Sequence, residues 1–316
     1  MRILALQLKR IGDLVLTTPA LAAIHGALPD ATVTLGVQAS TAGLLPVIPH
    51  HAEAMVFGPG RGWTPWHQVL TGRFDAVLDF TGTDRSAMAA VLSRAPRRIT
   101  FSWVRKKRVR ALAFNEFIES AVRERHTIDH YLDLLRALEI EAVDPNPRLD
   151  FPEIADPSPS TVILHPGTAR PDKNWLPKRW GEVARHIATK HRIPCVVTAG
   201  PDPDERAAAG MIGVPVIVPS DLRAFAALIS RALLVVSCDT ATVHLAAAFS
   251  RPQVALFGPT NPFHWRPRHP RAVVLSAAQP DRPMTDFDPR LKGRSMEHIS
   301  TALVCRAIDD LLSRAS

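Results

Sequence analysis

Aromatic residues make up 6% of this 316-residue chain, with a single Tyr among them. That is a thin supply for the stacking platforms that hold single-stranded nucleic acid. Cysteine is as scarce: Cys195, Cys238 and Cys305 are odd in number and widely spaced, ask for no disulfide framework and show no metal-ligand spacing. Cys195 and Cys238 lie in apolar, strand-like runs and read as small buried core residues. No apolar run approaches the length of a transmembrane helix. The opening Met-Arg-Ile-Leu-Ala-Leu-Gln-Leu-Lys-Arg is broken by charge too early for a secretory signal, so a cytosolic location is expected. There is no Gly-x-Gly-x-x-Gly after a strand and no Gly-Lys-Ser/Thr, which removes the dinucleotide and ATPase fingerprints. Neither a Gly-x-Ser-x-Gly elbow nor His-Glu-x-x-His occurs. Asp202-Pro-Asp204 lies in a proline-broken loop and is a weak metal candidate, so no metal is expected.

What is present is a globular composition, 46% hydrophobic and 22% charged, with a net charge of +8. The basic balance suits an acidic partner such as a nucleotide, a phosphorylated glycan, an anionic membrane or nucleic acid, and it also fits plain arginine-rich composition. Apolar runs alternate with helical patterns. Strands are expected at 2–8, 32–37, 54–57, 75–80 and 97–101, with helices at 14–28, 40–47, 64–72, 84–94 and 127–138. Residues 143–160 carry five prolines and form the best linker candidate. Beyond it, strands are expected at 161–164, 194–199, 215–217, 233–237 and 253–257, with helices at 177–190, 204–211, 221–231 and 241–249. A proline-interrupted stretch at 277–294 and an amphipathic helix from about 300 follow. Two α/β halves are therefore expected: 1–150, 151–300, and a terminal helix at 300–316 with room to pack back on the first half.

Three strand-to-helix turns carry candidate chemistry. In Val235-Val-Ser-Cys-Asp-Thr-Ala-Thr-Val-His-Leu245 a β-branched run ends and a helix begins, with Thr240 and His244 four apart on one face. Free N–H groups and the positive dipole end make such a turn a phosphate seat; capping by Asp239 and Thr240 is the plainer reading. The loop Phe257-Gly-Pro-Thr-Asn-Pro262 emerges at the same carboxyl edge. Leu164-His-Pro-Gly-Thr-Ala-Arg-Pro-Asp-Lys-Asn-Trp175 combines flexible backbone, the Thr168 hydroxyl, and the cations Arg170 and Lys173, a set suited to a diphosphate. Lys9-Arg-Ile-Gly-Asp13 is the third turn: Gly12 permits a tight bend, and Asp13 is either a helix cap or, if it faces a cleft, a general base. Arg97 to Arg110 holds seven basic residues and no acid, a patch for an anionic acceptor or lipid headgroups.

Together these residues resemble glycosyltransferase family 9, the bacterial heptosyltransferases of lipopolysaccharide core assembly. Arg10-Ile-Gly-Asp-Leu-Val-Leu-Thr-Thr-Pro-Ala-Leu21 is similar to the family's amino-terminal motif. His165-Pro-Gly to Lys173-Asn-Trp175 resembles its donor-phosphate loop. Asp239-Thr-Ala-Thr-Val-His-Leu245 and Leu256-Phe-Gly-Pro-Thr260 resemble its adenosine-side motif, and Ser295-Met-Glu-His-Ile299 its closing segment. The resemblance implies α/β structure in the GT-B arrangement, two Rossmann-like domains facing a central cleft, and inverting transfer of a heptose from ADP-heptose to an anionic lipopolysaccharide inner-core sugar without a cofactor. It implies Asp13 as general base, Thr168, Lys173, Asp239, Thr240, Ala241 and His244 around the donor, and Arg10, Gly12 and Arg85 on the acceptor side.

The implied partners are the nucleotide sugar, the core acceptor and an anionic membrane surface met peripherally at the inner face of the inner membrane, with no nucleic acid. Ala241 stands where the family usually has Gly, and Arg10 where some members carry a small polar residue. Alternatives are a member using another nucleotide sugar or a protein acceptor, and another GT-B enzyme such as a sugar-nucleotide epimerase.

Overall fold

The computed structural model describes residues 1–142, 144–151 and 161–314. Most of the proline-rich 143–160 stretch lies outside them. The chain divides into two compact units, Met1–Asp150 and Phe151–Ser316.

The first unit holds strands β1 (Arg2–Gln7), β2 (Thr32–Gln38), β3 (Glu53–Phe57), β4 (Ala76–Asp79), β5 (Arg97–Phe101) and β6 (Glu116–Ile118), with helices α1 (Ile11–Ala27), α2 (Thr64–Thr71), α3 (Asp84–Leu92), α4 (Arg108–Ala111) and α5 (Thr127–Asp133). The second holds β7 (Val162–His165), β8 (Cys195–Thr198), β9 (Val216–Ile217), β10 (Leu234–Cys238), β11 (Gln253–Phe257) and β12 (Ala272–Ser276). Its helices are α6 (Pro177–His186), α7 (Pro203–Gly210), α8 (Leu222–Ser230), α9 (Ala241–Ala248), α10 (Pro262–Trp265) and α11 (Thr301–Ser313).

Each unit is built on one six-stranded sheet, ordered β3-β2-β1-β4-β5-β6 and β12-β11-β10-β7-β8-β9, with every strand pairing parallel. Counted from its own first strand, each sheet runs 3-2-1-4-5-6, the Rossmann order. The α/β class with two Rossmann-like domains is therefore as the sequence implied. Parallel strands covered on both faces lose their alternation, and β1, β4, β10 and β11 are accordingly buried along nearly their whole length.

Several elements differ from the periodicity. Residues Ala39–Val47 form a 3-10 helix, with Pro46 inside it. The expected 127–138 helix is α-helical only to Asp133, continues as 3-10 turns through Leu138, and stops at Glu139 in the left-handed region (φ 57°). Likewise the 177–190 helix ends at His186 and widens into a π turn over Ile187–His191. The edge strands β6 and β12 lie outside the expected set: β6 is three residues long, while β12, Ala-Val-Val-Leu-Ser, is a plain apolar run that follows a proline-rich loop.

The terminal helix belongs to the second unit: α11 lays Leu303, Val304, Ala307, Ile308, Leu311 and Leu312 into its core, beside Trp175, Trp180, Val183 and Leu256. Its apolar stripe at helical spacing is what that core lacks on one side. Ile308 is fully buried there, so Ile308→Ala should cost the second unit about 2–5 kcal/mol through lost burial and a cavity. Denaturant unfolding monitored by tryptophan fluorescence checks this; an unchanged midpoint would mean that the helix is not part of that core.

Candidate active site

In each sheet the strand order reverses between two central neighbours, β1 and β4 in the first and β7 and β10 in the second. At such a point the chains leaving the two strands diverge, and a crevice opens beyond their carboxyl ends. All three candidate turns leave one of these four strands.

In the first unit α1 begins after Arg10, which is its N-cap but makes no side-chain capping bond. Asp13 is thus the third helical residue, and the cap reading of it is set aside. Its Oδ1 accepts a hydrogen bond from the Tyr131 hydroxyl at 2.7 Å. Tyr131, the chain's single tyrosine, projects from α5, is 2% exposed, and meets the Phe80 ring edge-on at 5.7 Å. Burial first, then the Asp13 charge, pushes its pKa well above the ordinary value, so the phenol stays a proton donor. Below them Gln7 Nε2 donates to Thr17 Oγ1 at 2.8 Å, and Thr17 Oγ1 donates to the Asp13 carbonyl at 2.9 Å. The half-buried Asp13 carboxylate is therefore held from one side by a neutral phenol.

Across the reversal, β4 ends in Asp79, which is fully buried. Its carboxylate accepts from the Thr81 N–H and hydroxyl (2.8 and 2.7 Å), the Gly82 N–H (3.0 Å) and the Ser86 hydroxyl (2.9 Å). Burial raises its pKa while these bonds oppose the rise. The turn needs glycine: Gly82 sits at φ +62°, and a Cβ there would lie 2.4 Å from the Trp103 ring. A capping box between Thr83 and Ser86 then starts α3 and presents Arg85 on its first turn. Arg85 Nη1 donates to Gln38 Oε1 at 3.1 Å, and Gln38 Nε2 donates to the Leu8 carbonyl at 2.6 Å. Arg10, Gly12, Asp13 and Arg85 thus share one sheet edge.

The basic run is only partly available. Arg97 makes two bonds to Glu116 (2.8 and 2.7 Å), Arg98 donates to the Ala113 and Ala95 carbonyls, and Arg110 pairs with Asp84. Arg105, Lys106, Lys107 and Arg108 are exposed.

In the second unit Lys173 closes a 3-10 turn, and its Nζ donates to Asp239 Oδ2 at 2.6 Å, the side chains being 17% and 8% exposed. Removing either partner would leave the other charge enclosed, a costly state, so Asp239 fixes where the ammonium points. Thr168 Oγ1 lies 2.6 Å from the Arg170 carbonyl and 2.7 Å from Asn174 Oδ1, which ties the loop across its own base. Arg170 is exposed and paired with Asp172. Trp175 and Trp180 meet edge-to-face at 5.3 Å, and the Trp175 indole N–H donates to the Ile299 carbonyl at 3.1 Å. Thr240 caps α9, its Oγ1 accepting the Thr242 N–H at 3.2 Å, and Ala241 is the first helical residue. His244 sits one turn on, 4% exposed and within the wall. His165, at the end of β7, is pushed down to about 4 by burial. It is neutral at neutral pH, and Lys173 is the enclosed cation of this edge.

Downstream, Gly258 and Gly293 pack where no side chain fits. A Cβ on Gly258 would lie 2.4 Å from Met296 Sδ, and one on Gly293 2.2 Å from the Pro259 carbonyl oxygen. The Arg294 N–H donates to the Gly258 carbonyl at 3.1 Å.

The family model of glycosyltransferase family 9 (heptosyltransferase) matches residues 63–292. The chain belongs to that family. Among relatives of this glycosyltransferase, lipopolysaccharide heptosyltransferase 1 of Pseudomonas aeruginosa is 28% identical over 292 residues, covering 83% of this chain and 80% of the relative. The lipopolysaccharide core heptosyltransferase OpsX of Haemophilus influenzae is 23% identical over 290 residues, 86% of this chain and 83% of the relative. Among solved structures, the family 9 glycosyl transferase of Veillonella parvula superposes with a TM-score of 0.81 at 21% identity, over 99% of this chain and 97% of that one. E. coli heptosyltransferase WaaC with ADP-2-deoxy-2-fluoro heptose gives 0.81 at 20%, over 98% and 99%. The family match begins beyond Asp13, so the first turn of this glycosyltransferase rests on its own geometry.

Sequence reasoning missed Tyr131, Gln38 and Asn174, the side chains that hold Asp13, Arg85 and Thr168. A lone Tyr inside a mixed helix gives no sign of the carboxylate it will meet. Beside Tyr131, His130 stacks on Phe101 at 3.8 Å, with Nδ1 2.8 Å from Ser120 Oγ. Ser120 Oγ donates to Asp133 at 2.6 Å, so the His130 proton sits on Nδ1 and donates to the serine. Burial chiefly, then nearby Lys9, lowers the His130 pKa to about 4. The unfolded chain, with histidine at its usual ~6.5, binds the extra proton between those values. Stability of the first unit should therefore fall as pH drops from about 6.5 to about 4. His130→Phe should flatten that part of the pH dependence of the unfolding midpoint; an unaltered slope would place the proton linkage elsewhere.

Proposed function

We propose that this glycosyltransferase moves a heptose from ADP-heptose to an anionic sugar of the lipopolysaccharide inner core, with inversion and with Asp13 as general base. The observation that carries this reading is the Asp13 carboxylate: it is not used as a cap, stands at the strand reversal, and is anchored by a phenol that keeps its proton. Inversion requires a base to take the proton of the acceptor hydroxyl as that oxygen attacks the anomeric carbon from the face opposite the leaving group. Tyr131 orients the carboxylate without neutralising it. Arg85 and Arg10 offer fixed positive charge on the same edge for an acidic acceptor.

As the anomeric bond breaks, negative charge grows on the departing diphosphate. Lys173 meets it as a point charge, with the Thr168 and Thr240 hydroxyls and the first-turn N–H groups of α9, including that of Ala241, as further donors. Asp239 keeps Lys173 aimed until the phosphate arrives, and His244 shapes the wall behind. The relatives named above, both lipopolysaccharide heptosyltransferases, support the acceptor class, and the WaaC structure with an ADP-heptose analogue supports the donor.

The reading extends to location. No helix among the described residues is long and apolar enough to cross a membrane. The exposed Arg105–Arg108 run adjoins Val109 and Leu112, which are 84% and 83% exposed on the short α4 segment and just after it. Cations beside apolar tips suit peripheral contact with an anionic bilayer at the cytoplasmic face of the inner membrane.

Acceptor-dependent ADP release from ADP-heptose tests the reaction. Asp13→Asn should lose on the order of 10²–10⁴ in kcat with ADP affinity kept. Lys173→Met should lose both rate and ADP affinity. Tyr131→Phe should lose roughly tenfold in kcat, the worth of one hydrogen bond to a charged group, with KM unchanged. ADP binding without release by the native chain would move the search to another sugar or acceptor, and absence of ADP binding would sink the donor assignment. For location, sedimentation with anionic vesicles should fall when Lys106 and Lys107 are changed to Glu, and should weaken with salt. Equal sedimentation with neutral vesicles would contradict the electrostatic account.

A further inference from the structure

We propose that the second unit carries a divalent-cation site of the zinc type, formed by His186, His191 and Asp309, which clamps the terminal helix to α6. Asp309, on α11, receives three donors. His186 Nε2 lies 2.8 Å and His191 Nε2 2.6 Å from its Oδ1, and Lys190 Nζ lies 2.7 Å from its Oδ2. The three candidate ligand atoms lie within 4.8 Å of one another. Ligand atoms around a tetrahedral zinc are roughly 3.3 Å apart, given bonds of about 2.0–2.1 Å, so small side-chain rotations suffice. Two imidazoles and one carboxylate, with water completing the shell, form a donor set that suits zinc and its first-row neighbours.

The backbone gives an independent reason. In an α-helix, residues five apart point roughly 140° away from each other at 3.6 residues per turn, and His186 and His191 would not converge. The chain instead widens into a π turn over Ile187–His191. That extra residue brings His191 back over His186, with ring centroids 6.0 Å apart. Such bulges carry an energetic cost and are found frequently at functional sites. An α-helix continued through Lys190 would still have let that lysine seek Asp309, but it would have turned one imidazole away.

Location separates this site from the transfer chemistry. Each helix of a parallel α/β unit runs back against its strands, so the carboxyl end of α6 lies toward the amino ends of β7 and β8. Lys173 and Asp239 lie at the opposite edge. A cation here joins α6, the π turn and α11, whose apolar stripe completes the core. Its effect is on stability: binding only to the folded state raises the unfolding midpoint by mass action.

Binding exchanges partners in a balanced way. The cation takes the Nε2 lone pair of each neutral imidazole, whose proton then resides on Nδ1, and displaces the Lys190 ammonium from the carboxylate into water.

The test is zinc titration of the full chain, with calorimetry and thermal unfolding as readouts, and cobalt(II) absorption as a report of ligand type. The expected result is one ion per chain, a raised unfolding midpoint, and a cobalt spectrum of nitrogen and oxygen ligation. His186→Gln and His191→Gln should each weaken binding at least about tenfold. Lys190→Gln should tighten it, because the competing ammonium is gone. A purely electrostatic cluster predicts the reverse: Lys190→Gln lowers the midpoint and leaves zinc without effect. Saturable binding that survives the double histidine variant, or no stoichiometric binding by the native chain, overturns the proposal. ADP affinity should be the same with and without zinc, so failure here is distinguishable from failure of the transferase reading.

Discussion

Parallel strands release their chain at one edge, and both clusters of polar turns in this protein follow from that constraint applied twice. Hydrogen-bonded neighbours that run the same way need a helix to return between them, so every strand-to-helix turn emerges on the same side. Where the strand order reverses, adjacent turns part company and leave a space that backbone N–H groups and short polar side chains line. The turns after β1 and β4 bring Asp13 and Arg85 to one such edge. Those after β7 and β10 bring Thr168, Lys173, Asp239 and Thr240 to another. The cores beneath are conventional, built from nearly continuous apolar strands, and their role is to keep these turns in register.

Charge is handled economically at both edges. Histidines that could have supplied positive charge, His130 and His165, are buried and held neutral with pKa values near 4, because desolvation outweighs what their neighbours return. Asp13 and Lys173 each have a dedicated partner instead, a phenol for the one and a carboxylate for the other. The seven-residue basic run is sorted in the same way. Arg97, Arg98 and Arg110 bind parts of the fold, and only the middle of the run is presented to solvent.

Much of this could be read from the sequence, for identifiable reasons. β10 and α9 announced themselves because a β-branched run meets a polar turn and then an alanine-rich helix. Thr168, Lys173, Asp239 and Thr240 lie on the turns after β7 and β10, so local pattern sufficed to collect them. The partners did not, since Tyr131 is 118 residues from Asp13 and the relation exists only after folding. The π turn after His186 was invisible because α and π backbones use the same residue types, and the Asp309 that meets His186 and His191 lies at the far end of the chain. Asp13 as a cap failed for a related reason: the helix starts earlier than its apolar pattern, at Ile11, and Arg10 takes the capping position without a side-chain bond.

The paired glycines after β11 have a mechanical consequence. Gly258 and Gly293 bring two stretches of bare backbone together, with the Arg294 N–H bonded to the Gly258 carbonyl and no side-chain thickness between Gly293 and Pro259. Such a seam has no hinge of its own. The loop from Phe257 to Thr260 and the strap around Gly293 must travel as one plate. Any displacement of the loop therefore tugs on Met296, which packs against Gly258, and, through the following turn, on the start of the terminal helix. The irregular stretch before that helix then acts as a mechanical linkage between the loop after β11 and the far side of the same core.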